Sequence, residues 1–216
     1  MNQAPGDQPD ALLQPWVDAL GTDPAVLRAG RDLVGRYDQA QRRYHDRRHL
    51  GEVLRALGEL TTGATPAPVL WAAYFHDAVY EPAAHDNEQR SADLAAATLL
   101  GLGVAPAQVD EVVRLVLLTT THDPAADDAH GGLLCDADLA ILAAAPDRYR
   151  AYATDVRREH GGLDEQEFRR GRAAVLRTLV DRPRLFTTAQ GHRRWDAPAR
   201  RNLQQELSGL GAAPLP

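Results

Sequence analysis

The sequence predicts an all-α protein with a single domain. Apolar residues recur at helical spacing over most of the chain, and prolines, glycines and capping residues separate these stretches by short loops. The one segment with extended character, residues 184–188, is short and isolated. With 216 residues, of which 44% are hydrophobic, the chain can bury a sizeable core. We expect a bundle of roughly eight or nine helices over residues 10–207, between a flexible N-terminus (1–9) and a flexible tail (208–216).

The first half of the chain divides into helices with recognisable ends. Gly21 ends the first apolar stripe, and Thr22-Asp23-Pro24 combines a cap with a proline in the first turn, as at the start of a second helix. Residues 81–88 form a polar loop whose last residues cap the next helix. The predicted helices of this half cover about residues 10–20, 22–41, 44–60, 67–80 and 87–100.

The second half continues the helical pattern to the tail. Pro106 and Pro146 each begin a helix, and Gly161-Gly162 ends the one that starts at Pro146. Residues 124–132 are expected to form a flexible loop. The predicted helices of this half cover about residues 106–121, 133–145, 146–160, 168–180 and 197–207.

The apolar segment from Val69 to Tyr80 contains the pair His76-Asp77. Burying an imidazole and a carboxylate among aromatic side chains is costly unless both find a partner. A metal ion is one such partner, because neutral imidazole and carboxylate are both good ligands. A hydrogen bond between the two side chains in the core is the other interpretation that the pair allows.

Two further histidines, His45 and His49, are spaced four residues apart in a predicted helix, so we expect them to share one face. This spacing suits two ligands of one metal, or one ligand and a neighbour that faces a substrate. It also suits a solvated helix start, since Asp46, Arg47 and Arg48 lie between the two histidines.

The apolar stretch after residue 132 contains two aspartates, Asp136 and Asp138. Two residues apart on a helix, they point about 200° away from each other, so they do not easily face one ion. Asp136 is expected to be an N-cap. Asp138 shares its side of the helix with apolar residues, and a buried aspartate there requires a cation. His122, at the end of the preceding helix, could cap that helix as a cation.

Composition limits the classes of function. The net charge of −6 argues against sequence-independent binding of nucleic-acid polymers, which needs a basic face. All basic residues are arginines, so no lysine chemistry is available. Cys135 is the only cysteine, which leaves no internal disulfide and no cysteine-rich zinc site. The N-terminus lacks the pattern of a signal peptide, and no run of about 18 apolar residues predicts a membrane span. A cytoplasmic protein is the expectation.

The order of these motifs resembles the HD superfamily of metal-dependent phosphohydrolases, in which His…His-Asp…Asp on separate helices of an all-α bundle holds a divalent metal. The match over residues 37–142 consists of Tyr44-His45-x-x-x-His49, His76-Asp77 and Ala137-Asp138-Leu139. An uncharacterised bacterial branch of predicted HD phosphohydrolases is similar over most of the chain. The segments that carry this closer similarity are 44–50, 75–80, 86–92, 136–142, 171–176 and 182–186.

The resemblance implies an HD-type helical domain over residues 10–207 and metal ligation by His49, His76, Asp77 and Asp138. Which of Mn, Mg, Zn, Ni, Co or Fe binds is left open. Residues that could hold a second metal or contact the substrate are His85 and His122. Residues that could support the ligands or contact the substrate are Asn87, Glu88, Asp136 and Arg172.

The motif that contains His45 is also similar to the Tyr-His-Asn-x-x-His motif of cyclic nucleotide phosphodiesterases, whose first histidine donates a proton to the leaving oxygen. Asp46 replaces the asparagine here, and the later His-Pro-Gly of that group is absent, so the cyclic nucleotide specificity is not implied. The roles implied are proton donation by His45 and orientation of a metal-activated water by Asp77.

The expected function is therefore hydrolysis of a phosphoric ester in a small molecule, either a phosphomonoester or a nucleotide-like compound. A di-iron oxygenase, which would need His85 and His122 as further ligands, is the alternative among enzymes. A catalytically silent module that binds a metal or ligand is the alternative outside them. No nucleic-acid polymer and no membrane are expected as partners. The oligomeric state, with a homodimer among the options, is left open.

Overall fold

The computed structural model describes residues 10–82 and 84–211, and among these residues it is all-helical, as predicted, with no strand. Segment 184–188, the one with extended character, is irregular. Residues 1–9 and 212–216 of the expected termini lie outside the described residues. The helices are α1 (Gln14–Leu20), α2 (Pro24–Arg36), α3 (Arg47–Leu60), α4 (Ala67–Phe75), α5 (Asn87–Gly101), α6 (Pro106–Leu118), α7 (Ala129–Leu139), α8 (Pro146–Glu159), α9 (Glu165–Val180) and α10 (Ala189–Gly209), with a 3₁₀ turn at Ala140–Ala143.

Helix α4 lies at the centre of the bundle. It packs against α1, α2, α3, α5, α6 and α7, and most of its residues are buried, including all of segment 71–75. A helix that is apolar on every side is expected in the interior of a protein rather than on its surface. Helices α3 and α7 pack against α4 and against each other. The C-terminal end of α4 therefore lies where three helices meet.

The last helix covers the 3₁₀ turn and packs against α9. Asn202 on α10 donates its side-chain amide to the carbonyl oxygens of Leu142 and Ala144, at 2.8 and 2.9 Å. These bonds satisfy carbonyl groups at the end of the turn that have no helical partner. None of the described helices is both long and apolar enough to cross a membrane.

The prediction that Asp136 caps a helix is wrong. Helix α7 begins at Ala129, four residues before the expected start, because the carboxylate of Asp128 accepts the backbone N–H of Gly131. Asp136 consequently lies well inside α7 and is buried. Its carboxylate accepts hydrogen bonds from the N–H groups of Thr187 and Thr188, at 2.7 and 2.8 Å, and from the Thr188 hydroxyl at 2.6 Å. It therefore joins α7 to the start of α10.

Helix α10 begins at Ala189, eight residues before the expected start near Ala197. The hydroxyl of Thr188 accepts the N–H of Gly191 and so provides the cap. Pro198, which has no N–H to donate and is most easily placed in a first turn, lies inside this helix instead. The helix extends through Gly209, into the segment expected to be a tail.

Helices α1 and α2 approach closely at Gly30. A Cβ atom at this position would lie 2.5 Å from Leu13 Cδ1 and 2.6 Å from Trp16 Cδ1. We expect Gly30→Ala to destabilise the protein by about 1–3 kcal/mol, because buried Trp16 and Leu13 would have to move. The free energy of unfolding in urea, followed by circular dichroism, measures this effect.

The matched control is Gly35→Ala on the same helix, where a Cβ atom would meet nothing within 4 Å. There, alanine should stabilise the protein by about 0.5–1 kcal/mol through helix propensity. Equal effects at the two positions would contradict the close packing of α1 on α2.

Candidate metal centre

Four ionisable side chains from three neighbouring helices converge at the C-terminal end of α4. His49 Nε2 lies 3.0 Å from His76 Nε2, and Asp77 Oδ2 lies 3.3 and 3.1 Å from these two nitrogens. Asp138 Oδ1 contacts the same nitrogens at 3.2 and 3.6 Å. Both imidazoles are buried, and the carboxylates are only slightly exposed. The four residues that the sequence analysis groups as ligands therefore lie together.

Local structure positions His76 and Asp77 at the end of α4 rather than inside it, since the helix stops at Phe75 instead of continuing to Tyr80. His76 Nδ1 lies 2.9 Å from the carbonyl oxygen of Ala73. A carbonyl only accepts, so Nδ1 carries a proton and Nε2 faces the carboxylates; in the neutral imidazole this leaves Nε2 unprotonated. This is the protonation state in which histidine binds a metal.

The electrostatics of the cluster are those of buried charges that stabilise one another. Burial alone would lower the pKa of His49, but hydrogen bonds to Asp138 and Asp77 outweigh it and raise that pKa to about 9. Burial alone would raise the pKa of Asp77 and of Asp138. The nearby histidines, His76 above all, outweigh this effect and hold both pKa values well below the usual range. A divalent cation bound here would take the place of the proton on His49, and the two carboxylates would neutralise its charge.

The spacing of the nitrogen and oxygen atoms fits a metal ion. One atom each from His49, His76 and Asp77 forms a compact triple, with all three atoms within 4.8 Å of one another. A metal about 2.1 Å from each ligand places adjacent ligands about 3.0–3.4 Å apart at octahedral or tetrahedral angles. The distances of 3.0, 3.1 and 3.3 Å within the triple match this range. This buried group could hold a metal ion.

His122, expected either to cap α6 or to bind a second metal, contacts Asp138 instead. Its Nε2 donates to Asp138 Oδ2 at 2.6 Å, which leaves the other carboxylate oxygen against His49 and His76. The backbone of His122 has φ +49°, a left-handed conformation that is strained for a residue other than glycine. Arg182 holds this backbone by donating to the carbonyl oxygens of Thr121 and His122, both at 2.6 Å.

His45 lies outside helix α3, so it does not share a helical face with His49. Asp46 is the N-cap of α3, and its carboxylate accepts the N–H groups of Arg48 and His49. The helix therefore begins one residue after Asp46. The His45 ring nevertheless reaches the site, with its centroid 5.7 Å from that of His49. It stacks on Tyr80 at a centroid distance of 4.1 Å.

Glu159, at the end of α8, determines the position of His45. Its Oε2 accepts from His45 Nδ1 at 2.7 Å and from the Tyr80 hydroxyl at 2.9 Å. Its Oε1 accepts the backbone N–H groups of Arg43, Tyr44 and His45 at 2.8–3.0 Å. Burial alone would raise the pKa of Glu159, but the hydrogen bond and charge of His45 and these backbone donors lower it to about 2. The sequence analysis missed this residue.

Arg42 is a second residue beside the site that the sequence did not indicate. It is 4% exposed and donates to the carbonyl oxygens of His45 and Asp77 at 2.8 Å, and to that of Ala78 at 3.2 Å. It thereby ties the loop that contains His45 to the loop that contains Asp77. Neither Arg42 nor Glu159 belongs to an apolar stripe or a histidine motif. The sequence marked Arg42 and Glu159 only as charged residues near segments that are otherwise buried.

The remaining predicted site residues lie elsewhere or have other partners. His85 is exposed in the turn before α5 and is not part of the cluster. Asn87 bonds both the N–H and the carbonyl of Glu81, so it closes that turn rather than supporting a ligand. Glu88 lies in the first turn of α5, and none of the hydrogen bonds among the described residues links it to the site. Asp136, as described above, anchors α10.

A cavity of about 430 Å³ opens beside the cluster. His45, His122 and Asp138 line it, together with residues of α8 and α9. Arg172 also lines it, but its guanidinium is buried and donates to both carboxylate oxygens of Glu206, at 2.8 and 3.1 Å, and to the Tyr152 hydroxyl at 3.2 Å. Arg172 therefore forms a structural ion pair with Glu206 in the cavity wall, and its guanidinium is not free to bind substrate.

Comparison of the chain with models of protein families, with curated proteins and with solved structures finds no match. The chemistry of the site is therefore inferred from its own geometry and from the motifs in the sequence.

The two neighbouring aspartates of α7 provide a matched test of the metal centre. We expect the purified protein to take up about one equivalent of divalent metal and Asp138→Asn to lose it, because the substitution removes a charged ligand. Asp136→Asn should keep the metal and instead lower the unfolding free energy by roughly 2 kcal/mol, because three donors lose their carboxylate. Elemental analysis and urea unfolding measure the two effects. The reverse pattern would contradict this assignment.

Glu159 should make stability depend on pH in the acid range. Its folded pKa of about 2 lies below its ordinary value of 4.5, so the stability it contributes is present above pH 4.5 and is lost as the pH falls towards 2. Glu159→Gln keeps the shape but does not titrate. The difference in unfolding free energy between the two proteins should be largest at about pH 6 and shrink by about pH 3. A difference independent of pH would show that Glu159 is not ionised in the folded protein.

Proposed function

We propose that the protein is a metal-dependent hydrolase that cleaves a phosphoric ester in a small molecule. The observation that carries this proposal is the combination of a buried His-His-Asp triple with a nearby histidine, His45, which is oriented by Glu159 and lines the cavity that Asp138 also lines. A binding module needs only the first of these. The second rests on the buried Glu159, whose carboxylate orients His45 through Nδ1.

The residues that would hold the cation are His49, His76, Asp77 and Asp138. When bound, a divalent cation there supplies a Lewis acid for a phosphoryl oxygen and makes a bound water more acidic. His122 supports this set by fixing the orientation of Asp138, and Arg182 supports His122. Asp77 uses Oδ2 towards the imidazoles, so in this proposal its other oxygen accepts a hydrogen bond from the attacking water.

His45 is the proposed proton donor to the leaving oxygen. The ionised carboxylate of Glu159 accepts from Nδ1, so that nitrogen is protonated, and Nε2 is the atom left to exchange a proton with the substrate. Stacking on Tyr80 fixes the plane of the ring. This arrangement of a carboxylate behind an imidazole controls both orientation and tautomer, as in other enzymes that use histidine as an acid or base.

The triple of two histidines and one carboxylate is also a donor set used by non-haem iron enzymes. The di-iron oxygenase alternative, however, needs His85 and His122 as ligands of a second iron. His85 is exposed outside the cluster, so only one of the two further ligands, His122, lies beside it. These placements support the hydrolase over the di-iron oxygenase.

Turnover of a panel of phosphomonoesters, nucleotides and cyclic nucleotides by the metal-loaded protein tests the proposal directly. We expect hydrolysis of at least one class, and loss of that activity in His76→Ala. Absence of turnover on every member of the panel, with metal bound, would favour a silent binding module instead.

Removal of the proposed proton donor should separate chemistry from metal binding. We expect His45→Ala to retain its metal and to lose roughly 10²–10⁴-fold in kcat on an ester with a poor leaving group. The loss should be much smaller on p-nitrophenyl phosphate, since this leaving group scarcely needs protonation. Steady-state kinetics on both esters, with elemental analysis of the variant, measure the effect.

The matched control is His160→Ala. His160 lines the same cavity, but its Nδ1 bonds the carbonyl of Val156 in its own helix. His160→Ala should lower kcat only slightly, and by the same factor on both esters. Equal losses on the two esters in His45→Ala, or loss of the metal, would make His45 a ligand or a structural residue.

A further inference from the structure

Away from the metal centre, the cavity wall is apolar. Helix α8 contributes Val156, and helix α9 contributes Val175 and Leu179 at helical spacing on one face. The end of α7 and the turn that follows it contribute Leu139, Ile141 and Leu142. Much of the wall away from the metal centre therefore offers hydrocarbon to a ligand, beside the polar side chains of His160, Arg172, Thr178 and Arg182.

Val175 stands out among these residues because 53% of it is exposed. Phe168, Ala173 and Leu176 of the same helix are buried in the core, whereas Val175 borders the open cavity. An apolar ligand that covered Val175 would remove its hydrocarbon surface from water, which is favourable, whereas a polar ligand would gain nothing from this contact.

The polar groups of the wall are largely used by the protein itself. Arg172 is neutralised by Glu206, and Arg182 donates to two backbone carbonyls. The hydroxyls of Thr121 and Thr178 bond carbonyls of their own helical turns. A sugar or a nucleobase needs several hydrogen-bonding groups aimed at it, and a polyphosphate needs several cations. The described lining residues provide little for either.

We propose that the substrate is a phosphoric monoester of an apolar alcohol or phenol, with its alkyl or aryl group against Val175 and Leu179 and its phosphoryl group at the metal centre. This inference rests on the proposed hydrolase function. The cavity volume of about 430 Å³ lies in the range typical of sites for small molecules, so it accommodates a fused aromatic ring as well as the phosphoryl group.

A substrate series on the metal-loaded wild-type protein tests the proposal. 1-Naphthyl phosphate and phenyl phosphate have leaving groups of similar acidity and differ mainly in apolar surface. We expect kcat/KM to be about tenfold higher for the naphthyl ester, mainly through KM, since a buried methylene contributes roughly a factor of four. Glycerol phosphate and AMP should be poorer than phenyl phosphate. If AMP or glycerol phosphate is hydrolysed with the same kcat/KM as 1-naphthyl phosphate, the inference about the apolar group is overturned. The hydrolase proposal would remain intact.

The variant Val175→Asn locates the apolar contact. It should raise KM for 1-naphthyl phosphate several-fold and KM for phenyl phosphate by a smaller factor, so that the preference for the naphthyl ester falls. The control is Leu100→Asn, which changes an equally exposed leucine (52%) on α5, outside the cavity. If Val175→Asn keeps the full ratio of kcat/KM between 1-naphthyl and phenyl phosphate, the placement of the apolar group against α9 is overturned. Hydrolysis of no ester at all would instead overturn the proposed function.

Discussion

Two carboxylates and two imidazoles share one buried space where α3, α4 and α7 meet, and the structure around them depends on the cost of that burial. Charged groups removed from water must be paired and hydrogen-bonded, or they destabilise the fold. Each member here has such a partner: Ala73 accepts from His76, His122 donates to Asp138, and His49 pairs with Asp77. The most apolar helix of the chain, α4, ends at this point. A rigid hydrocarbon scaffold therefore holds a polar site at its end.

The irregular segments beside the site are held by two buried charged residues. Arg42 binds the carbonyls of the loops at His45 and Asp77, and Glu159 binds consecutive backbone N–H groups before α3. Backbone groups in buried loops have no helical partners, so side chains must satisfy them. The two residues have opposite charges and complementary tasks, since one binds acceptors and the other binds donors. The segments that hold His45 and Asp77 outside the helices thereby become well defined.

The site and its cavity divide the work of the proposed hydrolase. The cluster of His49, His76, Asp77 and Asp138 would bind the cation, and the pair of His45 and Glu159 would handle the proton. The hydrocarbon of α8 and α9 would select the substrate. Charge is concentrated at one end of the cavity, where the proposed reaction occurs. The arrangement follows the general rule that a few oriented polar groups in an otherwise apolar pocket give both binding and specificity.

The sequence by itself determined the all-α class and most helix positions, because periodicity and capping are local properties that the residues display directly. It also indicated His76, Asp77 and Asp138, since each is a polar residue in an apolar segment, and it indicated His49 through the resemblance to the HD superfamily. Only the tertiary structure decided which residues support them. Glu159 meets His45 across 114 positions of the chain, and Asp136 meets Thr188 across 52. The local sequence of an aspartate does not reveal whether it caps its own helix or binds the start of another, because that depends on which distant backbone groups the packed helices bring to it.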